Sequence, residues 1–102
     1  MTTSLHYQKD RKHREEVIQS IGYGNTIKTT RIDRGDPRGA EIHELSDTGI
    51  IHIYTEETHM LITRFIATPN QVRRYYTINE IVPQFLIALA IAHKPLSKKT
   101  HR

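Results

Sequence analysis

The chain of 102 residues contains no cysteine. Disulfide bonds and thiolate-metal sites are therefore excluded, and nothing in the composition favours an oxidising compartment. Hydrophobic residues make up only 36% of the chain, against about 45–50% in average proteins, a figure that also counts glycine. A chain of this size and composition forms only a small core, and we expect a single domain.

Long apolar runs are missing as well. The longest, Ile81 to Ala92, has 12 residues, whereas a membrane-spanning helix needs about 20. Residues 1–14 contain no apolar run, so we expect neither a signal peptide nor a membrane partner. We predict a cytoplasmic protein whose ends, residues 1–5 and 95–102, are flexible basic tails.

The net charge of +4 and the pI near 9.6 are typical of nucleic-acid-binding proteins. The positive charge is concentrated at the ends, with net +3 in the first fourteen residues and +4 in the last ten. The body between them carries seven basic and ten acidic residues. Basic arms can hold a phosphate backbone, and they can also serve only to keep a protein soluble.

The pattern of apolar residues and turn signals predicts an α+β fold. A helix is expected from about His6 to Ile21, where two glycines stop it. Four segments have the composition of β-strands, namely Asn25–Asp33, Ala40–Leu45, Ile50–Thr55 and Met60–Ala67. Short turns join the last three, so we predict a four-stranded antiparallel β-sheet arranged as a meander, with the first strand at an edge.

The rest of the chain is predicted to add a short strand and an apolar helix. Val72–Tyr76 fits the strand, and the helix is expected to begin at or just before Pro83 and to run to about His93. This C-terminal helix is apolar on every side, so it is buried on most of its circumference or forms an interface. Such an interface would bind a protein partner or a second copy of the chain. The predicted interface residues are Phe85, Leu86 and Leu89.

Two histidines are predicted to meet across the sheet. If the turn after Leu45 has four residues, His43 faces His52, and the next turn then places Thr63 beside His52. These three residues would form one row on the more polar face. A shift of one residue in the first turn would move His43 to the opposite face, so the row is a prediction about strand register.

Such a row has the groups that RNA cleavage requires. One imidazole can accept a proton while another donates one, and cations can stabilise the pentavalent phosphate. The predicted catalytic residues are His43, His52 and Thr63. The predicted nucleic-acid-binding residues are Lys28, Arg31, Arg73, Arg74 and Tyr75. The row is equally compatible with ordinary strand residues that a loop covers. The sequence has no glycine-rich phosphate loop and no zinc-binding helix, so we predict no cofactor and no metal.

Parts of the chain resemble the ribonuclease superfamily that groups barnase, the EndoU enzymes, colicin nucleases and RelE-type toxins. His6 and Asp10–Arg14, followed by the apolar residues up to Gly22, are similar to the opening of its small toxin-like members. Leu61–Arg64 resembles their closing strand. Asp47–Ala67, together with the Arg-Arg-Tyr-Tyr segment, is similar to small proteins of prophages and mobile elements.

The resemblance implies a metal-independent ribonuclease with histidine, arginine and threonine on the open face of the sheet. No acidic residue stands out in the sequence as the general base. The leading hypothesis is therefore a small RNA-directed protein that acts as a toxin-like ribonuclease. The alternative is a non-catalytic mobile-element module that binds a partner through the C-terminal helix or the basic tails.

Overall fold

The computed structural model describes residues 5–97, and the side chains of residues 12–94. The predicted tails therefore lie largely outside the described residues. The order of elements along the chain is α1 (Leu5–Ile21), β1 (Thr26–Asp33), β2 (Ala40–Ser46), β3 (Ile50–Thr55), β4 (Leu61–Ile66), α2 (Pro69–Arg74) and α3 (Gln84–Ser97). Among residues 5–97, no helix combines the length and the apolar character needed to cross a membrane.

The four strands form one antiparallel sheet in the order β1-β2-β3-β4. The predicted fold class is confirmed, because an N-terminal helix, a four-stranded antiparallel meander and a C-terminal helix are all present. As expected, β1 lies at an edge, and β4 forms the other edge.

Both faces of the sheet carry helices. Successive strand residues point to opposite sides, and each side contributes apolar residues that pack against a helix. Ile50 and Ile66 pack with Ile18 of α1 on what we term the α1 face. The opposite side, the α3 face, holds a larger core formed by the sheet, α2 and α3. The buried members of this core are Leu45, Ile51, Ile53, Ala67, Val72, Leu86, Ile87 and Ala90.

The prediction of a strand at Val72–Tyr76 is wrong, since residues 69–74 form α2. Thr68 caps this helix: its hydroxyl accepts a hydrogen bond from the Gln71 amide (3.2 Å), and the Gln71 side chain accepts one from the Thr68 amide (2.9 Å). Pro69 occupies the first turn, where its missing N–H costs nothing. This reciprocal capping box outweighs the strand propensity of the following residues.

The predicted register of β2 and β3 is also wrong. His43 pairs with Ile53, and His52 pairs with Glu44. The cause lies in the turn, because Ser46 joins β2 and its hydroxyl accepts hydrogen bonds from the amides of Thr48 (3.2 Å) and Ile50 (3.0 Å). The connection is thus three residues long and is closed by Gly49 at φ +87°, a conformation that favours glycine. His43 and His52 consequently lie on opposite faces of the sheet.

Candidate functional site on the open sheet face

The corrected register creates a different row of ionisable side chains on the α1 face. Glu44, His52 and Arg64 are cross-strand partners on β2, β3 and β4. Directly opposed Cβ atoms lie roughly 5 Å apart, so neighbouring side chains can interact. All three are partly exposed, because α1 packs mainly against β4. We call these three residues the polar row.

His52 is a half-buried imidazole between opposite charges. Burial and the positive charge of Arg64 lower the pKa of His52 below its ordinary value of 6.5, while Glu44 and Glu15 act in the opposite direction. The imidazole is therefore mostly neutral at pH 7 and takes up a proton at a pH below its ordinary pKa. A group that exchanges protons in this range suits general acid–base chemistry.

Arg64 is held in place from two sides. Its Nε donates a hydrogen bond to Glu15 Oε1 at 2.9 Å, and its guanidinium lies 4.8 Å from the centroid of the Tyr23 ring. Tyr23 also meets His52 edge to face, with ring centroids 5.3 Å apart and an interplanar angle of 82°. The remaining N–H groups of the guanidinium can bind an anion, and its orientation is fixed in advance.

Glu44 is oriented by neighbouring hydroxyl groups. The Tyr54 hydroxyl donates a short hydrogen bond to Glu44 Oε1, and the Thr26 hydroxyl donates a longer one to the same oxygen at 3.4 Å. The hydrogen bond to Glu44 is also the main reason why the pKa of Tyr54 is raised. The other carboxylate oxygen of Glu44 makes no hydrogen bond to the side chains of residues 12–94, so it can accept a proton from a ligand.

His43 occupies a buried network on the α3 face instead. Its Nε2 donates to Glu41 Oε1 (3.1 Å), and its Nδ1 is 2.7 Å from the Tyr75 hydroxyl. Glu41 is also buried and accepts hydrogen bonds from Arg34 Nε and Arg38 Nη2, each at 3.0 Å. Both ring nitrogens of His43 are therefore engaged. The predicted catalytic pairing of His43 with His52 lacks the geometry on which it depended.

The structure does not gather the other predicted site residues around the polar row. Thr63 lies on the α3 face in the row of His43 and Ile53. Lys28 forms an ion pair with Glu80 at 2.7 Å. The predicted arginines and tyrosine have these positions: Arg31 forms an ion pair with exposed Glu56, Arg73 and Arg74 lie exposed at the end of α2, and Tyr75 contacts His43.

The C-terminal helix divides its apolar residues between the core and the surface. Leu86 is fully buried and Leu89 is partly buried against the sheet, so the predicted role of Leu86 in an interface conflicts with its position. Phe85 is 52% exposed, and the preceding loop exposes Ile78 (98%) and Ile81 (90%). We call Ile78, Ile81 and Phe85 the apolar loop patch.

The sequence pattern did not single out Glu44, Arg64 or Tyr23 as site residues. Glu44 follows His43 along β2 and points to the opposite face. When the turn has three residues instead of the predicted four, Glu44 replaces His43 as the partner of His52. The sequence feature that could have indicated this register is a three-residue turn ending in glycine. Tyr23 and Glu15 approach the row from outside the sheet, and no strand pattern reveals such contacts.

In comparisons with known proteins, no protein family, curated protein or solved structure matches the chain. Among the residues whose side chains are described, no group of three or more histidine, aspartate or glutamate side chains is arranged to hold a metal ion. The polar row is therefore interpreted from its own chemistry.

Proposed function

We propose that the protein is a small RNA-directed protein that cleaves the RNA backbone at the polar row. The observation that carries this proposal is the order carboxylate, imidazole, guanidinium across three neighbouring strands on an accessible sheet face. The resemblance of the sequence to toxin-like ribonucleases supports the same reaction class. Glu44 supplies the general base that the sequence alone did not reveal.

Each group of the row has one role in a transesterification. Glu44 takes the proton of the ribose 2′-hydroxyl, and the 2′-oxygen attacks the adjacent phosphorus. Protonated His52 gives its proton to the departing 5′-oxygen, which leaves as a hydroxyl. The products are a 2′,3′-cyclic phosphate and a 5′-hydroxyl end. Arg64 stabilises the additional negative charge on the pentavalent phosphate.

This mechanism requires ionised Glu44 and protonated His52 in the same molecule. Because the pKa of His52 is lowered, the protonated fraction falls as the pH rises toward neutrality. Cleavage should therefore decline as the pH rises through the pKa of His52, which lies below 6.5. No step needs a metal ion, so the reaction should proceed in the presence of a chelator.

The direct test is incubation of the purified full chain with mixed-sequence RNA and EDTA between pH 4 and 8. We expect fragments that end in a 2′,3′-cyclic phosphate and that are absent when 2′-deoxy substrate is used. Glu44→Gln and Arg64→Gln should each reduce the rate at least tenfold, whereas the exposed control Arg73→Gln should not. Intact RNA across the whole pH range would overturn the proposal.

A second candidate function is a protein-binding module that acts through the apolar loop patch. The observation in its favour is the unusual exposure of the two isoleucines, at 98% and 90%, since large exposed apolar groups often mark interaction sites. Induced expression in bacteria distinguishes the two candidates. A ribonuclease should arrest growth and His52→Ala should relieve the arrest, whereas a binding module should affect growth equally in both forms.

A further inference from the structure

We infer that Tyr23 is a stacking site for an unpaired nucleobase. This makes single-stranded nucleic acid the class of ligand that the α1 face binds. This inference rests on the proposed function because it extends the same site. It concerns binding and not bond cleavage, so it can stand or fail by a separate measurement.

Tyr23 belongs to a loop that is fixed against the sheet on both sides. Asp47 and Asn25 exchange two hydrogen bonds, one from the Asn25 amide to the Asp47 carboxylate (2.9 Å) and one from the Asp47 amide to the Asn25 carbonyl (2.8 Å). The Thr48 hydroxyl donates to the Gly22 carbonyl at 2.8 Å. The loop therefore sits on the β2–β3 turn, and Tyr23 lies at its centre.

The two glycines beside Tyr23 make this close seating possible. Gly22 and Gly24 have φ values of +96° and +67°, which favour glycine over other residues. A Cβ atom at Gly24 would also overlap the carboxylate of Asp47. The backbone around Tyr23 is therefore held in place, and contacts with His52 and Arg64 limit the rotation of the ring. Little conformational freedom is then lost when a ligand stacks on it.

The ring has no role in either core but contacts two members of the polar row. Tyr23 is 40% exposed and belongs to neither group of packed apolar residues among the described residues. It touches His52 at its edge and lies under the guanidinium of Arg64. A nucleotide whose phosphate binds Arg64 would bring its base to the exposed part of this ring.

This arrangement favours an unpaired strand. Bases in a duplex stack on one another and cannot lie flat on a protein side chain, whereas bases of single strands readily stack on aromatic rings. A tyrosine beside an arginine is a common combination in such sites because the base and the phosphate are bound together. Stacking on every type of base should be possible, so we expect little sequence preference.

The test uses a fluorescently labelled single-stranded DNA oligonucleotide, which has no 2′-hydroxyl and cannot undergo the proposed cleavage. Binding by the full chain is measured at low salt for the wild type, Tyr23→Ala and Tyr23→Phe. We expect Tyr23→Ala to weaken binding roughly 5- to 100-fold and Tyr23→Phe to bind like the wild type. Ile27→Ala is the matched control, because Ile27 is similarly exposed (42%) on the neighbouring β1 and should leave affinity unchanged. Thermal unfolding of each variant verifies that it is folded.

Ligand variants test the same inference from the other side. An oligonucleotide with abasic sites should bind the wild type as weakly as the normal oligonucleotide binds Tyr23→Ala, and the matching duplex should bind less tightly than the single strand. Equal affinity of normal and abasic strands, or unchanged binding by Tyr23→Ala, would overturn the stacking site even if RNA is cleaved. Binding that depends on Tyr23 without any RNA cleavage would support the stacking site and reject the ribonuclease.

Discussion

Glu44 and His52 lie directly opposite each other across the β2–β3 pair. Their side chains share the accessible α1 face, and Arg64 continues the same row on β4. A carboxylate and an imidazole in this relationship can divide the roles of proton acceptor and proton donor.

The titration of His52 should respond to Arg64. The pKa of His52 is lowered by burial and by the neighbouring guanidinium, so NMR of the imidazole signals should give a value below 6.5. Arg64→Gln removes the positive charge and should move this pKa upward, toward the ordinary value. Arg73→Gln, which changes an exposed arginine of α2, should have no effect. A His52 pKa that is unchanged in Arg64→Gln would show that the two side chains do not interact.

The two strand histidines should give opposite results when each is replaced by glutamine. His52→Gln should reduce RNA cleavage by on the order of 10²–10⁴-fold with little change in stability, because it removes a proton donor from a partly exposed site. His43→Gln should lower the free energy of unfolding by about 1–3 kcal/mol, because buried hydrogen bonds to Glu41 and Tyr75 are lost.

Urea unfolding and cleavage rates per folded molecule measure both effects. A loss of cleavage in folded His43→Gln that matches the loss in His52→Gln would mean that His43 takes part in the chemistry. In that case the polar row would not be the complete site.

The sequence was sufficient to predict α1, α3 and the four strands, but it predicted neither α2 nor the strand register. Alternating apolar residues and glycine-containing turns indicated α1 and the four strands, because those patterns depend on local backbone preferences. The register of β2 and β3 depended on Ser46, whose side chain binds two amides of the turn and so extends β2 by one residue. That single residue moved His43 to the other face and brought Glu44 to His52. The register of β3 and β4 also differs from the prediction, and that pair contains an irregularity between Ile53 and Tyr54. Contacts such as those of Tyr23 depend on how a loop rests on a distant turn, and no local pattern contains that information.

The buried network around Glu41 should make the protein less stable in acid. The hydrogen bond from His43, together with those from Arg34 and Arg38, holds the pKa of Glu41 below its ordinary value of 4.5, although burial acts in the opposite direction. The unfolded chain therefore takes up a proton at this residue before the folded chain does. The stabilisation is fully present above the unfolded pKa and is lost as the pH falls through the folded pKa.

Glu41→Gln is the variant that tests this dependence. Urea unfolding should show a lower stability than that of the wild type at pH 7 and a smaller difference at pH 3, because Glu41 of the unfolded wild type is protonated there and part of the stabilisation is lost. Glu57→Gln, on the exposed β3–β4 turn, serves as the control and should match the wild type at both values. A difference between Glu41→Gln and the wild type that stays constant with pH would show that Glu41 acts only through its shape.

The two neighbouring residues Phe85 and Leu86 should separate core packing from surface contact in α3. Leu86→Ala should reduce the free energy of unfolding by about 2–5 kcal/mol, because Leu86 is fully enclosed and its truncation leaves a cavity. Phe85→Ala removes a side chain that is 52% exposed and should change stability much less. A large loss of stability in Phe85→Ala would assign Phe85 to the core.

If the apolar loop patch binds a second copy of the chain, sedimentation at high concentration should detect dimers for the wild type and monomers for Ile81→Asp. Monomers for both proteins would reject self-association through this patch.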